Sequence, residues 1–291
     1  MINYKVEART QEIQQYALEI LTRFHEICEK NQLNYILDFG TLLGAVRHEG
    51  FIPWDDDIDV AMPREDFKKL QKIMQTSSSN YLFLQTHDSD PNYYNSIAKV
   101  RVPDNRYTEN AMQYFDIVHG PWLDIFVYDY KFDDKEKQLK TQKSYNEKKK
   151  FYSVMMNALY SKPGVYYNRI ERVFKKVLRY IFKKSQEANN RGFVMRYVDS
   201  KYEKLDQVIK SAPQDKLQGD MITYTFPAET EAAEKGLSLN RIHFENRKLQ
   251  KFEGEFFYIP VDYDQILQDR YGDYMKLPPE DERKSNHHWV I

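Results

Sequence analysis

The spacing of apolar residues predicts alternating helices and strands over the first 130 residues of the chain. Between residues 11 and 30, apolar side chains recur close to the 3.6-residue period of a helix, and Thr10 is placed to cap its first turn. Two further helices are predicted, one from Gly40 to Val46 and one from Arg64 to Met74. Short apolar or alternating runs predict strands at 35–39, 51–61, 81–85, 97–102 and 122–128.

The pattern changes in the middle of the chain, where residues 131–216 are rich in Lys and helical in their spacing. The clearest helix there runs from Val165 to Lys184. After residue 216 the spacing is mixed again, with a strand or hairpin at 252–260, a short helix at 262–270 and a loop-like tail that ends at His287-His288-Trp289. We predict an α/β (α+β) fold, with a mixed sheet flanked by helices and a basic helical insertion. The predicted parts are a core at 1–130, the insertion at 131–216, and a segment at 217–291 that completes the core.

Composition and charge narrow the class of protein. No run of 18 apolar residues occurs, and the first residues lack the apolar segment of a signal peptide, so we expect a cytoplasmic protein. The single cysteine, Cys28, lies on the apolar side of a predicted helix, which indicates a buried side chain rather than a nucleophile. A net charge of −1 gives no reason to expect nucleic acid as a partner, although residues 131–184 carry 16 Lys or Arg against five acids.

The segment 55–59 holds four carboxylates in five positions and is the strongest chemical signal in the sequence. Such crowding is tolerable when a divalent cation lies among the carboxylates. Asp57 and Asp59 alternate with apolar residues, so on a strand both side chains project from one face. Asp55 shares their parity and is a candidate ligand or neighbour, whereas Asp56 points away and is expected at a turn or at the surface. A calcium loop starting at Asp55 is excluded, because its sixth and twelfth positions lack the required Gly and Glu.

A third oxygen ligand is needed for Mg²⁺, and Asp124 is the best candidate. It is a lone carboxylate in an otherwise apolar strand, where an unpaired charge would be costly. A purely structural cap or salt bridge is the alternative interpretation of Asp124. We expect Asp57, Asp59 and Asp124 to be the catalytic metal ligands, with Mg²⁺ as the cofactor and Mn²⁺ as a second option.

Phosphate-binding candidates lie around this acidic set. Gly40-Thr41 stands between a predicted strand and a helix, where backbone N–H groups favour a phosphate, although ordinary turns use the same pair. Arg47 follows the short helix, and Lys99 and Arg101 share one face of a predicted strand; each of the three could contact phosphate oxygens or be an ordinary structural charge. No Walker A sequence is present, which excludes P-loop chemistry.

The order Gly-Thr, Asp-x-Asp and a later single Asp resembles the nucleotidyltransferase superfamily, and longer motifs narrow the resemblance to the LicD family, whose relatives include the fukutin group. The motifs are FGTLLGAVRHEGFIPWDDDIDVAMPREDF at 39–67, HGPWLDIF at 119–126, FEG at 252–254, IPVDYD at 259–264 and RYGDYM at 270–275 with the prolines at 278–279. The matched blocks span roughly residues 10–130 and 220–288. Val127 stands where the family usually has proline, and the Lys-rich middle has no counterpart in these motifs.

The resemblance implies a nucleotidyltransferase-like catalytic core and a phosphotransferase activity. LicD-like enzymes move phosphocholine or a related alditol phosphate from a cytidine diphosphate (CDP) carrier to a sugar hydroxyl of a cell-surface glycan or teichoic acid precursor, and release CMP. CDP-choline is the favoured donor, and a glycan or lipid-linked glycan is the acceptor. In that reaction Gly40, Thr41 and Arg47 would position the phosphates, and Asp124 would accept the hydroxyl proton.

A choline group would need aromatic faces, which hold quaternary ammonium ions. The aromatic residues near the motifs are Trp54, Trp122, Tyr271, Tyr274 and Trp289, with Asp273 as a possible counter-charge. Ordinary packing is the alternative for each of them. The helix at 165–184 also allows two interpretations: its apolar face packs on the core, or it lies on an anionic membrane surface.

Two other functions fit part of the sequence. A metal-dependent glycosyltransferase also uses an Asp-x-Asp pair to hold a nucleotide-sugar pyrophosphate, but the upstream Gly-Thr turn and the later Asp124 argue against it. A non-catalytic glycan- or lipid-binding protein would have to keep an intact carboxylate set without using it. The terminal pair His287-His288 lacks further ligands at zinc spacing.

Overall fold

A computed structural model gives the positions of most of the chain. The structure describes residues 8–76, 81–90, 92–93, 95–104, 106–109, 112, 116–160, 170, 172–174, 176–177, 180, 200, 203–204, 206–212, 219–225, 231–284 and 289–290. Much of the predicted basic helix and the pair His287-His288 therefore lie outside the described residues.

Seven strands form one mixed sheet at the centre of the protein. They are β1 (Ile36–Leu37), β2 (Asp59–Pro63), β3 (Phe83–Gln85), β4 (Ala98–Arg101), β6 (Trp122–Tyr130), β7 (Asp220–Thr223) and β8 (Ser238–Asn240). The order β1-β2-β6-β4-β3 runs across the sheet, and β7 pairs with the second half of β6 and carries β8. Among the described strands of this sheet, only β2 and β6 pair in parallel. The mixed α/β fold predicted from the sequence is confirmed.

Two small sheets complete the strand structure. The hairpin of β9 (Arg247–Phe252) and β10 (Glu255–Pro260) packs against the β1 side of the central sheet. The strand β5 (Thr108–Glu109) pairs with β11 (Trp289–Val290), so Trp289 belongs to a strand and not to the loop-like tail that we predicted. The β5–β11 pairing joins parts of the chain that are far apart in sequence, whereas β9 and β10 are neighbours along the chain.

The helices flank the sheet, and residues of both helices and strands form the core. They are α1 (Ala8–Lys30), α2 (Phe39–Arg47), α3 (Arg64–Thr76), α4 (Lys135–Tyr160), α5 (Glu231–Gly236), α6 (Ile242–Glu245) and α7 (Tyr263–Tyr271). The apolar stripe of α1 packs on β6 and β4, because its residues at helical spacing face the sheet. Cys28 lies in that stripe, and burial raises the pKa of its thiol, as expected for an inert side chain.

Several predicted boundaries differ from the structure. Thr10 lies inside α1 rather than capping it, because the helix already includes Ala8. The acidic strand is shorter than predicted, since β2 begins at Asp59 and the segment before it includes a turn. The predicted hairpin is present, with Glu253 and Gly254 at its tip in positive-φ conformations. Among the described helices, none combines the length and the apolar character needed to cross a bilayer.

Candidate active site

Three polar side chains stand in a row across the middle of the central sheet. Asp59 on β2 is paired in register with Asp124 on β6, and Asp124 is paired in turn with Lys99 on β4. Residues in register on neighbouring strands project from the same face of a sheet, so the two carboxylates and the ammonium group converge. All three residues are buried. The register of three strands therefore assembles the site from parts of the chain that are up to 65 residues apart.

Asp57 completes the carboxylate set from the segment just before β2. One carboxylate oxygen from each of Asp57, Asp59 and Asp124 lies within 4.8 Å of the others. Asp57 is half-buried, so the set opens to solvent on its side. These are the three residues that we expected to act together, although Asp57 precedes the strand that we predicted to carry it.

Asp55 approaches the same set from the side of α2. A Cβ atom on Gly40 would lie 2.8 Å from Oδ2 of Asp55 and 3.9 Å from Oδ2 of Asp59. Glycine at position 40 therefore gives both carboxylates room next to the helix backbone. Asp56 is buried, which corrects our prediction of a turn or surface residue; Asp55 and Asp57 remain half-exposed on either side of it.

The electrostatics of the site are unbalanced. Burial, and after it the neighbouring carboxylates, raise the pKa of Asp59 well above its ordinary value; in order of effect these neighbours are Asp57, Asp124, Asp55 and Asp38. Lys99 supplies one compensating charge, because its Nζ donates a hydrogen bond to Oδ1 of Asp124 at 2.7 Å. The Lys99 ammonium also lies 4.0 Å from the ring centre of Trp122, whose Nε1 donates to Oδ2 of Asp124 at 3.2 Å.

The carboxylate set has the donor chemistry that Mg²⁺ requires. Mg²⁺ prefers oxygen ligands and usually binds one or two protein carboxylates together with water and substrate phosphate. Asp57, Asp59 and Asp124 offer three such oxygens around a common point, and the charge repulsion at Asp59 is the kind that a divalent cation relieves. The residues present therefore fit a magnesium ion.

A strained turn places the start of α2 beside the carboxylates. Phe39, the first residue of α2, has a φ of +41°, which is uncommon for a bulky residue. Its ring packs at 4.6 Å from Phe126 and at 4.3 Å from the guanidinium of Arg270, and these contacts stabilise the unfavourable backbone. Thr41 is buried, and its Oγ1 accepts a hydrogen bond from the Asp59 N–H at 2.8 Å. The Phe39-Gly40-Thr41 turn is thereby fixed against β2.

A second buried network lies behind this turn, and we did not predict it. The Arg270 guanidinium forms an ion pair with Asp38 and donates to the Tyr128 hydroxyl at 3.1 Å and to the Gly236 carbonyl at 2.7 Å. Tyr128 in turn donates to Oδ2 of Asp38 at 2.9 Å. Burial alone would lower the pKa of Arg270, but Asp38 holds it above its ordinary value. Arg270 begins the motif at 270–275 and Asp38 directly precedes the motif at 39–67, but neither residue alone indicates that the two form a pair.

The predicted phosphate ligands occupy different places. Lys99 lies in the site, as described above. Arg101 is on the same face of β4 but fully buried, where it donates to Gln85 at 2.5 Å, to the Gly120 carbonyl at 2.6 Å and to Glu109 at 3.0 Å. Arg47 lies at the opposite end of α2 from Gly40, roughly 10 Å along the helix, and donates to the Tyr274 carbonyl at 2.8 Å. The structure thus places Lys99 beside the carboxylates and Arg101 in a separate buried network.

The aromatic residues of the predicted cage are spread over several environments. Burial of the hydroxyl raises the pKa of Tyr271, Arg270 opposes this effect, and the carboxylates of Asp59, Asp38 and Asp55 add to it, although 43% of the surface of the residue is exposed. Trp54 is half-buried beside Asp55, with the Arg283 guanidinium 5.8 Å from its ring centre.

The other members of the predicted cage have separate contacts. Trp122 lies beneath Lys99, and the hydroxyl of buried Tyr274 donates to Asp264 at 2.5 Å. Trp289 belongs to the small β5–β11 sheet, and Asp273 is exposed at the surface. Trp122 is therefore the aromatic residue in direct contact with a carboxylate of the set, while Trp54 directly precedes Asp55 and Tyr271 lies at the end of α7.

A cavity of about 640 Å³ opens on the opposite face of the sheet. Val127 and Asp129 lie on the face of β6 opposite to Asp124, and they line the cavity together with Arg64 and Phe67 of α3. Arg64 donates two hydrogen bonds to Asp129, at 2.9 and 2.7 Å. The cavity is thus separated from the carboxylate set by the sheet.

Comparison with known proteins gives matches along nearly the whole chain. Residues 32–159 match the family model described as LicD/FKTN/FKRP, nucleotidyltransferase domain. The chain is 28% identical to the lipopolysaccharide cholinephosphotransferase LicD of Haemophilus influenzae, over 97% of this chain and 97% of that protein. The family match continues past residue 130 into the Lys-rich segment.

Two shorter matches cover 56 residues each. An uncharacterized protein of Rickettsia prowazekii is 46% identical over 19% of this chain and 21% of its own length. An uncharacterized protein of Rickettsia typhi is 45% identical over 19% of this chain and 18% of its own length. These matches identify a short stretch of high similarity within the longer family relationship.

Proposed function

We propose that this chain, which belongs to the LicD family, transfers phosphocholine from CDP-choline to a sugar hydroxyl of a cell-surface glycan and releases CMP. A related alditol phosphate is the second option for the transferred group. A lipopolysaccharide sugar is the first acceptor to test, because the Haemophilus influenzae relative is a lipopolysaccharide cholinephosphotransferase. A teichoic acid precursor is the other acceptor class that the reaction chemistry allows.

The convergence of Asp57, Asp59 and Asp124 beside the start of α2 is the observation that supports this proposal. A transferred phosphoryl group carries its charge on oxygens, and catalysis consists mainly of positioning and electrostatic stabilisation. A bound Mg²⁺ would be held by these three carboxylates and would supply positive charge to the pyrophosphate of the donor. The donor's diphosphate is therefore placed between the carboxylate set and the Phe39-Gly40-Thr41 turn.

The chain's own residues have defined parts in the proposed reaction. The sugar hydroxyl attacks the phosphorus of the phosphocholine group, an O–P bond forms, and the P–O bond to CMP breaks. We assign the hydroxyl proton to Asp124, whose carboxylate is held in one orientation by Lys99 and Trp122. The backbone N–H groups of Gly40 and Thr41 face the phosphates. Lys99 also provides a fixed positive charge next to the reacting group.

Recognition of choline is assigned to aromatic residues around the site that a ligand can reach. Tyr271 and Trp54 are the two candidates, since Tyr271 is exposed and Trp54, next to Asp55, is half-buried, whereas Trp122 is buried under Lys99. Aromatic faces attract a quaternary ammonium group, whereas ribitol and glycerol lack the positive charge that they bind. A Trp54→Ala variant should therefore weaken CDP-choline binding more than CDP-ribitol binding.

The experiment that tests the proposal measures CMP release from CDP-choline, CDP-ribitol and CDP-glycerol, each with Mg²⁺, with Mn²⁺ and with EDTA. Slow hydrolysis by water reports the donor even without the acceptor, and addition of a lipopolysaccharide sugar should accelerate it. We expect metal-dependent CMP release from CDP-choline that is lost in Asp57→Asn. A parallel reaction with nucleotide sugars tests the glycosyltransferase alternative. Turnover of a nucleotide sugar, with none of the three CDP donors consumed even with acceptor, would overturn the proposal.

A further inference from the structure

The segment 165–184 carries an unusual combination of charge and apolar residues. It contains seven Lys or Arg and one acid, interleaved with Val, Ile, Leu, Phe and Tyr at helical spacing. The described residues within it (170, 172–174, 176–177 and 180) are all helical. A helix of this composition either buries its apolar side against the protein or presents that side to another apolar phase.

The apolar residues described in this segment are exposed. Ile170, Val173, Phe174, Val177 and Tyr180 each have between 50% and 81% of their surface accessible to solvent. The described part of this helix therefore does not pack its apolar side on the core, which was the first of the two interpretations offered by the sequence. Five large apolar side chains this exposed within 11 residues are uncommon on a soluble protein surface.

These five residues form one continuous stripe. At 100° per residue they fall within an arc of about 120° around the helix axis. Arg172 and Lys176, which are also exposed, lie outside that arc. The described part of the helix thus has an apolar strip with two cations beyond one edge of it, and the segment 165–184 carries a net positive charge while the chain as a whole carries −1.

We propose that this helix docks the protein on an anionic lipid surface. The apolar strip matches the acyl boundary of a leaflet, and the bordering Lys and Arg match its anionic headgroups. Phe174 and Tyr180 suit the interfacial depth at which aromatic rings are favoured. Charge complementarity selects this occupant, since an apolar protein partner alone would not require the surrounding cations. The docking surface is independent of the transferase reaction, so either proposal can fail without the other.

The experiment uses the full chain and co-sedimentation with vesicles, comparing pure phosphatidylcholine with mixtures that contain 30% phosphatidylglycerol. We expect binding to the anionic vesicles at low salt, weak binding to the zwitterionic vesicles, and weakening as salt rises. Phe174→Asp should reduce the partition coefficient about 10-fold or more. The double variant Arg172→Glu with Lys176→Glu should reduce it about 20-fold or more, at roughly fivefold for each cation removed.

Matched variants separate this surface from general effects of charge and hydrophobicity. Phe256→Asp makes the same substitution at a phenylalanine of equal exposure on β10 and should leave vesicle binding unchanged. Lys68→Glu with Lys72→Glu reverses two exposed cations four residues apart on α3 and should weaken binding much less than the double variant at 172 and 176. Circular dichroism on each variant checks that the fold is kept.

Three results would overturn the proposal. One is the absence of binding to anionic vesicles at low salt. Another is equal binding of the Phe174→Asp and Phe256→Asp variants. The third is a stable dimer in light scattering that Phe174→Asp dissociates, because the apolar strip would then be covered by a second copy of the chain.

Discussion

Two groups of buried carboxylates lie next to each other at the start of β2, and they differ in how their charge is balanced. Asp38 is paired with the Arg270 guanidinium and accepts a further hydrogen bond from Tyr128. Asp59 is surrounded by other carboxylates, and burial together with these neighbours raises its pKa. The Asp38 and Asp59 backbones are hydrogen-bonded to each other at 3.0 Å, so the two environments meet within one residue pair.

This difference in charge balance indicates that the two aspartates, Asp38 and Asp59, have different roles. A buried ion pair with all its hydrogen bonds satisfied holds the structure in one arrangement, and removing one partner is strongly destabilising. A buried carboxylate cluster is unfavourable by itself, because its charges repel one another, and it becomes favourable when a divalent cation lies among them. We therefore expect the Asp38–Arg270 pair to support the site and the carboxylate cluster around Asp59 to act in it. The predictions below test this division.

The largest effect on activity is expected from Asp59→Asn. The change removes a metal ligand without changing the size of the side chain, and CMP release from the preferred donor should fall about a thousandfold or more. Its stability without metal should be equal to or higher than that of the wild type, because the change relieves charge repulsion. Steady-state kinetics and urea unfolding measure the two quantities. A large loss of stability would place Asp59 in the supporting group instead.

The largest effect on stability is expected from Arg270→Met. The substitution leaves Asp38 buried without its cation, and the free energy of unfolding should fall by about 3–5 kcal/mol. Arg106→Met is the control, because Arg106 pairs with Asp104 at an exposed site and should change stability far less. Denaturant unfolding of both variants compares them directly. Equal effects of the two substitutions would show that the Asp38 network is not the stronger support.

A smaller effect on activity is expected from Lys99→Met. The variant keeps most of the side-chain volume but removes the ammonium group that orients Asp124, so kcat should fall about 10- to 100-fold. Lys251→Met at the exposed pair with Glu49 controls for loss of a lysine. CMP release under saturating donor measures the effect. An unchanged kcat, with only KM raised, would indicate that Lys99 binds substrate without positioning Asp124.

The smallest effect is expected from Gly40→Ala. The added Cβ would lie 2.8 Å from Oδ2 of Asp55, so this carboxylate has to move, and activity should fall about 10-fold. Gly236→Ala is a suitable control, because the nearest atom to its added Cβ is 3.8 Å away. Restoration of activity in Gly40→Ala by a second change, Asp55→Ala, would assign the loss to this contact. If Asp55→Ala does not restore activity, the loss in Gly40→Ala comes from a change in the backbone of α2 and not from the contact with Asp55.

Local patterns in the sequence predicted the elements that carry the site. The predicted helices at 40–46 and 64–74 correspond to α2 and α3, and the strands at 97–102 and 122–128 correspond to β4 and β6, each within two residues or so at the ends. Amphipathic spacing and turn residues are local, and this is why these assignments succeed. Alternating parity also placed Lys99 and Arg101 on one face before any contact was known.

Long-range contacts could not be predicted in the same way. Asp38 and Arg270 are 232 residues apart, and the ion pair depends on how α7 packs against the start of α2. Strand register decides that Lys99 rather than Arg101 lies opposite Asp124, and a shift of two residues would exchange them. The burial of Asp56 likewise follows from the turn before β2, which the apolar pattern did not reveal.

The different roles of Asp38 and Asp59 are tested most directly by thermal unfolding of the wild type, Asp59→Asn and Asp38→Asn, each with and without Mg²⁺. Binding to the folded state alone stabilises a protein by about 2.7 kcal/mol at 100 times Kd, which corresponds to several degrees in Tm for a chain of this size. We predict that Mg²⁺ raises the Tm of the wild type and not that of Asp59→Asn, and that without metal Asp38→Asn unfolds well below both. An equal Mg²⁺ shift in the wild type and in Asp59→Asn, or an Asp59→Asn variant as unstable as Asp38→Asn, would contradict the account.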